Sequence, residues 1–231
     1  TMDIQFLGTG GAFDYQYGNS SAIIDRQGER YLIDCGHDVY ATLREKSTIE
    51  PIDYVLITHF HADHVGSLST FILYHHLFVK GKQLQILYPE KAFKDKLYEY
   101  LCFSLQKPEK FIAFIPMQNR AHLDFVNTYG KHVSGMQTYS YVFYEEDELI
   151  FYSGDTSDAD PTFDYLEDHA KPSTRVFHDV TFDQTNGSHT YYKELTPYQD
   201  TYQLYGYHCD PTQSPADNTL PLVYHQADLL M

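Results

Sequence analysis

Thr58-His59-Phe60-His61-Ala62-Asp63-His64 constrains this chain more than any other stretch. Four strong metal-ligand types, His59, His61, Asp63 and His64, fall within six residues, directly after the apolar run Tyr54-Val55-Leu56-Ile57. That run is short, rich in β-branched and aromatic residues, and bounded by Pro51 and the polar motif, which predicts a buried strand. The four residues then sit at the carboxyl end of a core strand. Imidazoles and a carboxylate can converge there on one point instead of scattering in water. Neutral His with ionised Asp is a donor set for a divalent ion of the zinc type. The alternative is a polar surface loop that merely holds three His. The density of the spacing and the Asp inside it argue against that.

The spacing also asks for two ions rather than one. His59 and His61 are two apart and point to the same side of an extended segment. Asp63 and His64 follow after the chain has begun to turn. One tetrahedral ion cannot easily take all four and keep a position open for water. Two ions roughly 3.5–4 Å apart can share them, with a bridging hydroxide between.

The length of 231 residues fits a single domain over 1–231, and a hydrophobic fraction of 42% is enough for a sizeable core. No apolar run approaches the roughly 18 residues of a membrane span. The chain enters an apparent strand at Asp3-Ile4-Gln5-Phe6 with no basic signal region before it. Cys35, Cys102 and Cys209 are an odd, widely spaced set and form no disulfide framework, so a reducing, cytoplasmic setting is expected. The net charge of −16 argues against tracking a long nucleic acid by phosphate neutralisation. Bound divalent ions would reverse the sign locally, which leaves a small anionic substrate open. Among 22 tyrosines, most read as packing and a few could stack on a nucleobase.

Along the chain, residues 3–8 read as a strand ending in Gly8-Thr9-Gly10-Gly11. No Lys-Ser/Thr ending or helix pattern follows, so this is a tight turn rather than a phosphate loop. Ser21–Asp25 and Arg30–Cys35 flank Gln27-Gly28 as a hairpin. A helix is expected over 38–45, the motif strand over 52–58, a helix over 62–78, a strand over 85–88 and a helix from 89 to about 103. Strands follow at 111–116 and 122–128, then an alternating strand over 133–143 and an acidic turn at Glu145–Glu148. Leu149–Tyr152 is a short buried strand, 161–169 a helix, and Thr174–Phe177 and Tyr202–Tyr207 are further strands. The chain is therefore α/β, and no linker or low-complexity segment divides it.

Three later strands also carry a donor type at one end. His132 opens one, Asp155 follows another within Ser153-Gly154-Asp155-Thr156, and His208 follows a third. Ligand groups gather at strand ends in layered α/β folds, so these positions can reach the first cluster. Alone, His132 would read as a surface residue and His208 as a satisfied polar group. The opening motif makes them candidates. His37, His75, His76, His122 and His225 match no ligand pattern and read as surface or packing, while His169 and His178 could support the site from behind.

Thr58–His64 resembles the signature of the metallo-β-lactamase superfamily. Gly8–Gly11, Asp34-Cys35-Gly36, Ser153–Thr156, His178-Asp179-Val180-Thr181-Phe182 and Ser188-His189-Thr190 resemble its transfer-RNA 3′-processing branch, ribonuclease Z. The resemblance runs from about residue 3 to 210. It implies an αββα sandwich, two mixed sheets between helical layers, with two zinc ions (manganese as the alternative) between the sheet edges. Carried over by position, one metal takes His59, His61 and His132. The other takes Asp63, His64 and His208, and Asp155 bridges them. Asp179 stands where that branch has Glu and orients His189, the general acid for the leaving oxygen. The same pair could also be a structural hydrogen bond only. Phosphodiester cleavage needs the three things this set offers: an activated water, neutralised phosphoryl charge and a proton for the alkoxide.

Two departures redirect the substrate. Ribonuclease Z carries a protruding arm between the equivalents of His132 and Asp155, which here stand only 23 positions apart. Around His208 the chain reads Gly206-Tyr207-His208-Cys209-Asp210, not the branch's usual pattern, so the resemblance carries least at that position. Arm-less relatives of the anti-Pycsar type imply a homodimeric phosphodiesterase acting on 3′,5′-cyclic mononucleotides. The alternatives are an RNA 3′-end endonuclease, a lactonase or lactamase, which has no need of Asp179–His189, or a non-catalytic module that sequesters a nucleotide.

Overall fold

A computed structural model describes residues 1–231. The first half builds a six-stranded sheet in the order β1 (Met2–Gly8), β2 (Ser21–Arg26), β3 (Glu29–Ile33), β4 (Tyr54–Leu56), β5 (Leu84–Tyr88) and β6 (Ile112–Pro116). β1, β2 and β3 pair antiparallel, and β3 to β6 run parallel. The second half builds a five-stranded sheet. Its order is β11 (Gln203–Tyr207), β10 (Ser173–Asp179), β9 (Glu148–Tyr152), β8 (Tyr139–Tyr144) and β7 (Leu123–Asn127). There β9, β10 and β11 are parallel, and β7, β8 and β9 antiparallel.

Side-chain alternation explains why the sheets stack. On β9, Ile150 and Tyr152 enter the large core between the sheets, while Leu149 and Phe151 enter a second cluster with Phe163 and Leu166. Phe163 and Leu166 lie on α5 (Asp160–His169), so β9 is apolar on both faces and α5 covers the outer one. β8 repeats the pattern, with Tyr139, Tyr141 and Phe143 inward and Val142 outward. Phe6 of the first sheet meets Tyr152, Phe177 and Tyr207 of the second at ring separations of 6.0, 5.5 and 5.5 Å. The first sheet's helices are α1 (Val39–Glu45), α2 (Ala62–Val65), α3 (Leu68–Phe78) and α4 (Lys91–Leu105). Leu43, Phe71, Ile72, Leu97 and Leu101 tie α1, α3 and α4 into the large core. The αββα sandwich expected from the resemblance is the architecture observed. No helix is long and apolar enough to cross a membrane.

Two local expectations are corrected. The helix expected over 62–78 is two helices, α2 and α3, broken at Gly66-Ser67. Ser67 leaves the helical ladder because its N–H donates to Cys35 O, while its hydroxyl donates to Gly36 O. The strand expected over 133–143 begins only at Tyr139, so His132 sits on a loop and opens no strand. Gly130 and Gly135 take φ of +71° and +75°, left-handed conformations that interrupt an extended run there. The alternation that suggested a longer strand has no ladder beneath it.

Candidate metal centre

The donor residues all emerge from one rim of the sandwich. β4 ends at Leu56, and His59 and His61 follow in extended chain before Asp63 and His64 enter the single turn of α2. Asp155 follows β9, Asp179 is the last residue of β10, and His208 comes directly after β11. β9, β10 and β11 are parallel, so their carboxyl ends share a side. His132 and His189 arrive on loops.

These residues fall into two donor groups that share one carboxylate: His59, His61, His132 and Asp155, and then Asp63, His64, Asp155 and His208. In the first, His61 Nδ1 lies 3.1 Å from His59 Nε2 and 3.2 Å from His132 Nε2. Asp155 Oδ2 is 3.6 Å from His59 Nε2 and 3.5 Å from His132 Nε2. In the second, His64 Nε2 is 3.1 Å from Asp63 Oδ2, 3.1 Å from Asp155 Oδ2 and 3.3 Å from His208 Nε2. The same Asp155 oxygen therefore faces both groups.

The donor set fits divalent cations. Ligands about 2.0–2.1 Å from a tetrahedral ion lie about 3.3 Å from one another, which is the spacing here. The outer ring nitrogens settle the proton positions. His64 Nδ1 donates to Asp34 Oδ2 at 2.7 Å, and His132 Nδ1 donates to Ser188 O at 2.7 Å. In the neutral rings, the inward Nε2 atoms then carry lone pairs, as metal-ligating His requires. Asp155 Oδ1 is buried without a partner. Inward lone pairs this close repel unless a cation, or in its absence a proton, stands between them.

The charges follow from the packing. Burial, followed by the neighbouring imidazoles, pushes the pKa of His59 and His61 down, which favours their neutral form. Burial opposes charge on Asp63 and Asp155 as well, yet the surrounding His override it and hold both carboxyls below the usual range. His64 goes the other way. Burial lowers its pKa, but Asp155 and Asp34 on either side raise it well above the ordinary value.

Asp179 and His189 stand against the second group. His189 Nδ1 donates to Asp179 Oδ2 at 2.6 Å, and Thr156 N donates to the same oxygen at 3.0 Å. The other oxygen, Asp179 Oδ1, is 3.7 Å from His208 Nδ1. The His189 ring centre lies 5.1 Å from that of His132 and 4.9 Å from that of His208, so it spans both donor groups. Burial works against its charge, but Asp179 raises its pKa to about 9.

The structure also brings in residues to which the sequence reading assigned no role. Asp34 is fully buried at the end of β3. Its Oδ1 accepts from Thr58 N and its Oδ2 from Thr58 Oγ1, each at 2.7 Å, besides the bond from His64. A carboxylate closing the apolar run Leu32-Ile33 was the available signal. Gly36 matters by its missing side chain: a Cβ there would lie 1.9 Å from Asp63 O. His178 is buried but bonds Thr162 and the Asp179 carbonyl, and His169 is exposed and bonds Tyr165 O, so neither backs a donor. His37, His75, His76, His122 and His225 stand outside both groups.

Two shared-oxygen donor groups, with an exposed edge beside a protonatable His, form an arrangement built for metal-dependent hydrolysis. The family model described as anti-Pycsar protein Apyc1 matches residues 2–222. An anti-Pycsar protein Apyc1 from Bacillus phage BSP38 is 33% identical over 222 residues, covering 86% of this chain and 84% of its own. Among solved structures, the metallo-beta-lactamase fold protein YhfI from Bacillus subtilis aligns with a TM-score of 0.71 at 16% identity, over 90% of this chain and 87% of its own. The short form of human tRNase Z aligns with a TM-score of 0.65 at 17% identity, over 90% and 92%. These structures share the fold, and the sequence match is closer still: the chain belongs to the anti-Pycsar protein Apyc1 family.

Proposed function

We propose that this protein is a phosphodiesterase for small substrates, 3′,5′-cyclic mononucleotides first among them, working with two divalent cations, zinc before manganese. The observation that carries the reading is the Asp179–His189 pair set against the Asp155-linked donor groups. Bound at those groups, the cations supply an activated water and neutralise phosphoryl charge. His59, His61 and His132 serve one cation, Asp63, His64 and His208 the other, and Asp155 both.

The remaining work falls to the chain. Hydrolysis expels an alkoxide, which needs a proton. His189 Nδ1 is held by Asp179, and its Nε2 has no hydrogen bond within the chain, so that edge is available to donate. A lactone or lactam site has no comparable need for a carboxylate-charged imidazole. The name of the family, anti-Pycsar, agrees with a cyclic mononucleotide as substrate, and the short run between His132 and Asp155 leaves no arm for transfer RNA. A homodimer, implied by the resemblance, accompanies this reading and is checked by sedimentation.

The experiment is to load the protein with zinc or manganese and supply a panel of cyclic mono- and dinucleotides, bis(p-nitrophenyl) phosphate, a lactone and nitrocefin. Turnover of cyclic mononucleotides is expected. No turnover of either kind of phosphodiester would sink the reading.

A further inference from the structure

His189 has one hydrogen bond of its own, from Nδ1 to Asp179 Oδ2 at 2.6 Å. A single bond fixes one point of a ring and leaves the ring free to pivot about it. The direction of the opposite edge then depends on the backbone that carries the side chain. On the amino-terminal side that backbone comes from an exposed loop, residues 183–187.

Three bonds anchor the segment Ser188-His189-Thr190. Ser188 O accepts from His132 Nδ1 at 2.7 Å, and Thr190 O accepts from Thr181 N at 2.8 Å. The third comes from a side chain. Thr190 is fully buried, and its Oγ1 donates to Thr156 O at 2.8 Å.

Thr156 follows the shared Asp155 directly and is buried as well. Both of its backbone polar groups face the acid pair. Its N–H donates to Asp179 Oδ2, the oxygen that His189 also uses, and its carbonyl accepts from Thr190. The contacts close a ring: Thr156 to Asp179, Asp179 to His189, His189 along the chain to Thr190, and Thr190 back to Thr156. Asp179 is pinned in turn, since its N–H donates to Ser153 Oγ at 2.9 Å. One turn after β9 therefore carries both the oxygen that the two donor groups share and the frame that holds the imidazole. Of the bonds in the ring, the Thr190 hydroxyl is the one that a substitution of nearly equal shape can delete.

We propose that Thr190 is a positioning residue for proton transfer: its hydroxyl, bonded to Thr156 O, sets His189 at a fixed reach from Asp155, so that the free imidazole edge delivers its proton to the leaving oxygen of a phosphodiester held at the donors. Thr190 acts only through His189. The proposal rests on the phosphodiesterase reading above for the acid role of that residue.

Thr190→Val and Thr190→Ser in the metal-loaded full chain test it. In Thr190→Val, kcat for a cyclic mononucleotide is expected to fall about 10–100-fold, part of what an aligned general acid supplies, with KM little changed. Bis(p-nitrophenyl) phosphate, whose leaving group needs no proton, should be turned over as by the wild type. Thr190→Ser keeps the hydroxyl and should restore the cyclic substrate. Two readouts need no turnover. Proton NMR should show the Nδ1–H of His189 as a downfield, slowly exchanging resonance in the wild type and in Thr190→Ser, and shifted or lost in Thr190→Val. Metal affinity, by chelator competition, should be the same in all three, because every donor remains. Should Thr190→Val not fold, Thr190→Ala and Thr190→Ser make the same comparison, since they differ in one oxygen. Equal losses on both substrates, a fall in metal affinity, or no rescue by Thr190→Ser would mean that the bond only satisfies a buried carbonyl, and would overturn the role. If the wild type hydrolyses no phosphodiester, the reaction fails, and the imidazole resonance still decides whether Thr190 holds His189.

Discussion

Asp34 Oδ2 accepts a hydrogen bond from His64 Nδ1 at 2.7 Å while the same carboxylate grips the Thr58 amide and hydroxyl. One buried side chain thus sets the tautomer of a candidate ligand and the entry of the loop that carries three others. Asp34→Ala removes both. Partners behind metal ligands typically contribute 10–100-fold in metal affinity, and that loss is expected here, read by competition with a chromophoric chelator. Unchanged affinity would mean that His64 is positioned by its own rotamer.

Metal uptake should be strongly proton-coupled. The pKa of His64 is raised well above its ordinary value by Asp155 and Asp34 and that of His208 is raised by Asp155 and Asp63, against burial in both, so the metal-free protein favours the proton on each. A ligating His must be neutral, and loading therefore releases protons. Affinity rises with pH and falls as acid restores the charges. Calorimetry in buffers of different ionisation enthalpy should show net proton release near pH 7; zero release would contradict the raised pKa of His64.

His189→Ala should discriminate between leaving groups. If its proton goes to the departing oxygen, loss of the imidazole costs little with p-nitrophenolate, which leaves unaided. It should cost about 10²–10⁴-fold with a ribose alkoxide. Comparing kcat for bis(p-nitrophenyl) phosphate and for a cyclic mononucleotide is the measurement. Equal losses for both would remove His189 from the acid role.

The same residue offers a titration. In the metal-free protein Asp179 keeps the His189 pKa raised to about 9 against the pull of burial. The charged imidazole persists at pH 7 and is lost as pH climbs through about 9. In Asp179→Asn the midpoint should return towards about 6.5, the ordinary value. NMR of the imidazole protons follows both, and a midpoint that ignores the substitution would assign the shift to other groups.

Gly36→Ala tests the frame rather than the donors. Its Cβ would lie 1.9 Å from Asp63 O, backbone that cannot swing aside. The clash should cost about 1–3 kcal/mol of stability and weaken metal binding together, because relief displaces α2. A stable variant with full metal affinity, read by thermal melting and chelator competition, would show that the loop has slack.

The legible part of the site was the part encoded locally. His59, His61, Asp63 and His64 are adjacent in sequence and follow an apolar run, so convergence needed only a strand end. Asp155 and His208 were readable as donors after buried strands, and the structure places both at the shared rim. His132 was expected at the start of a strand, and it reaches the donor group instead from a loop that carries two left-handed glycines. Asp34 was quoted as part of a motif but given no role, because its partners are 24 and 30 positions away, a distance no periodicity spans.

Alone, the sequence determined the α/β pattern, the donor types and the resemblance that named the fold, because apolar alternation and residue chemistry are local properties. The tertiary structure decided what depends on approach in space. Stacking two sheets brings the ends of β4, β9, β10 and β11 to one rim, puts a single Asp155 oxygen between two donor groups and sets His189 across both. Hydrogen bonds of 2.6–2.7 Å donated to Asp34 and Asp179 then fix which ring nitrogens of His64 and His189 are left free. Such distances emerge only from packing, because each joins residues that the chain itself keeps apart.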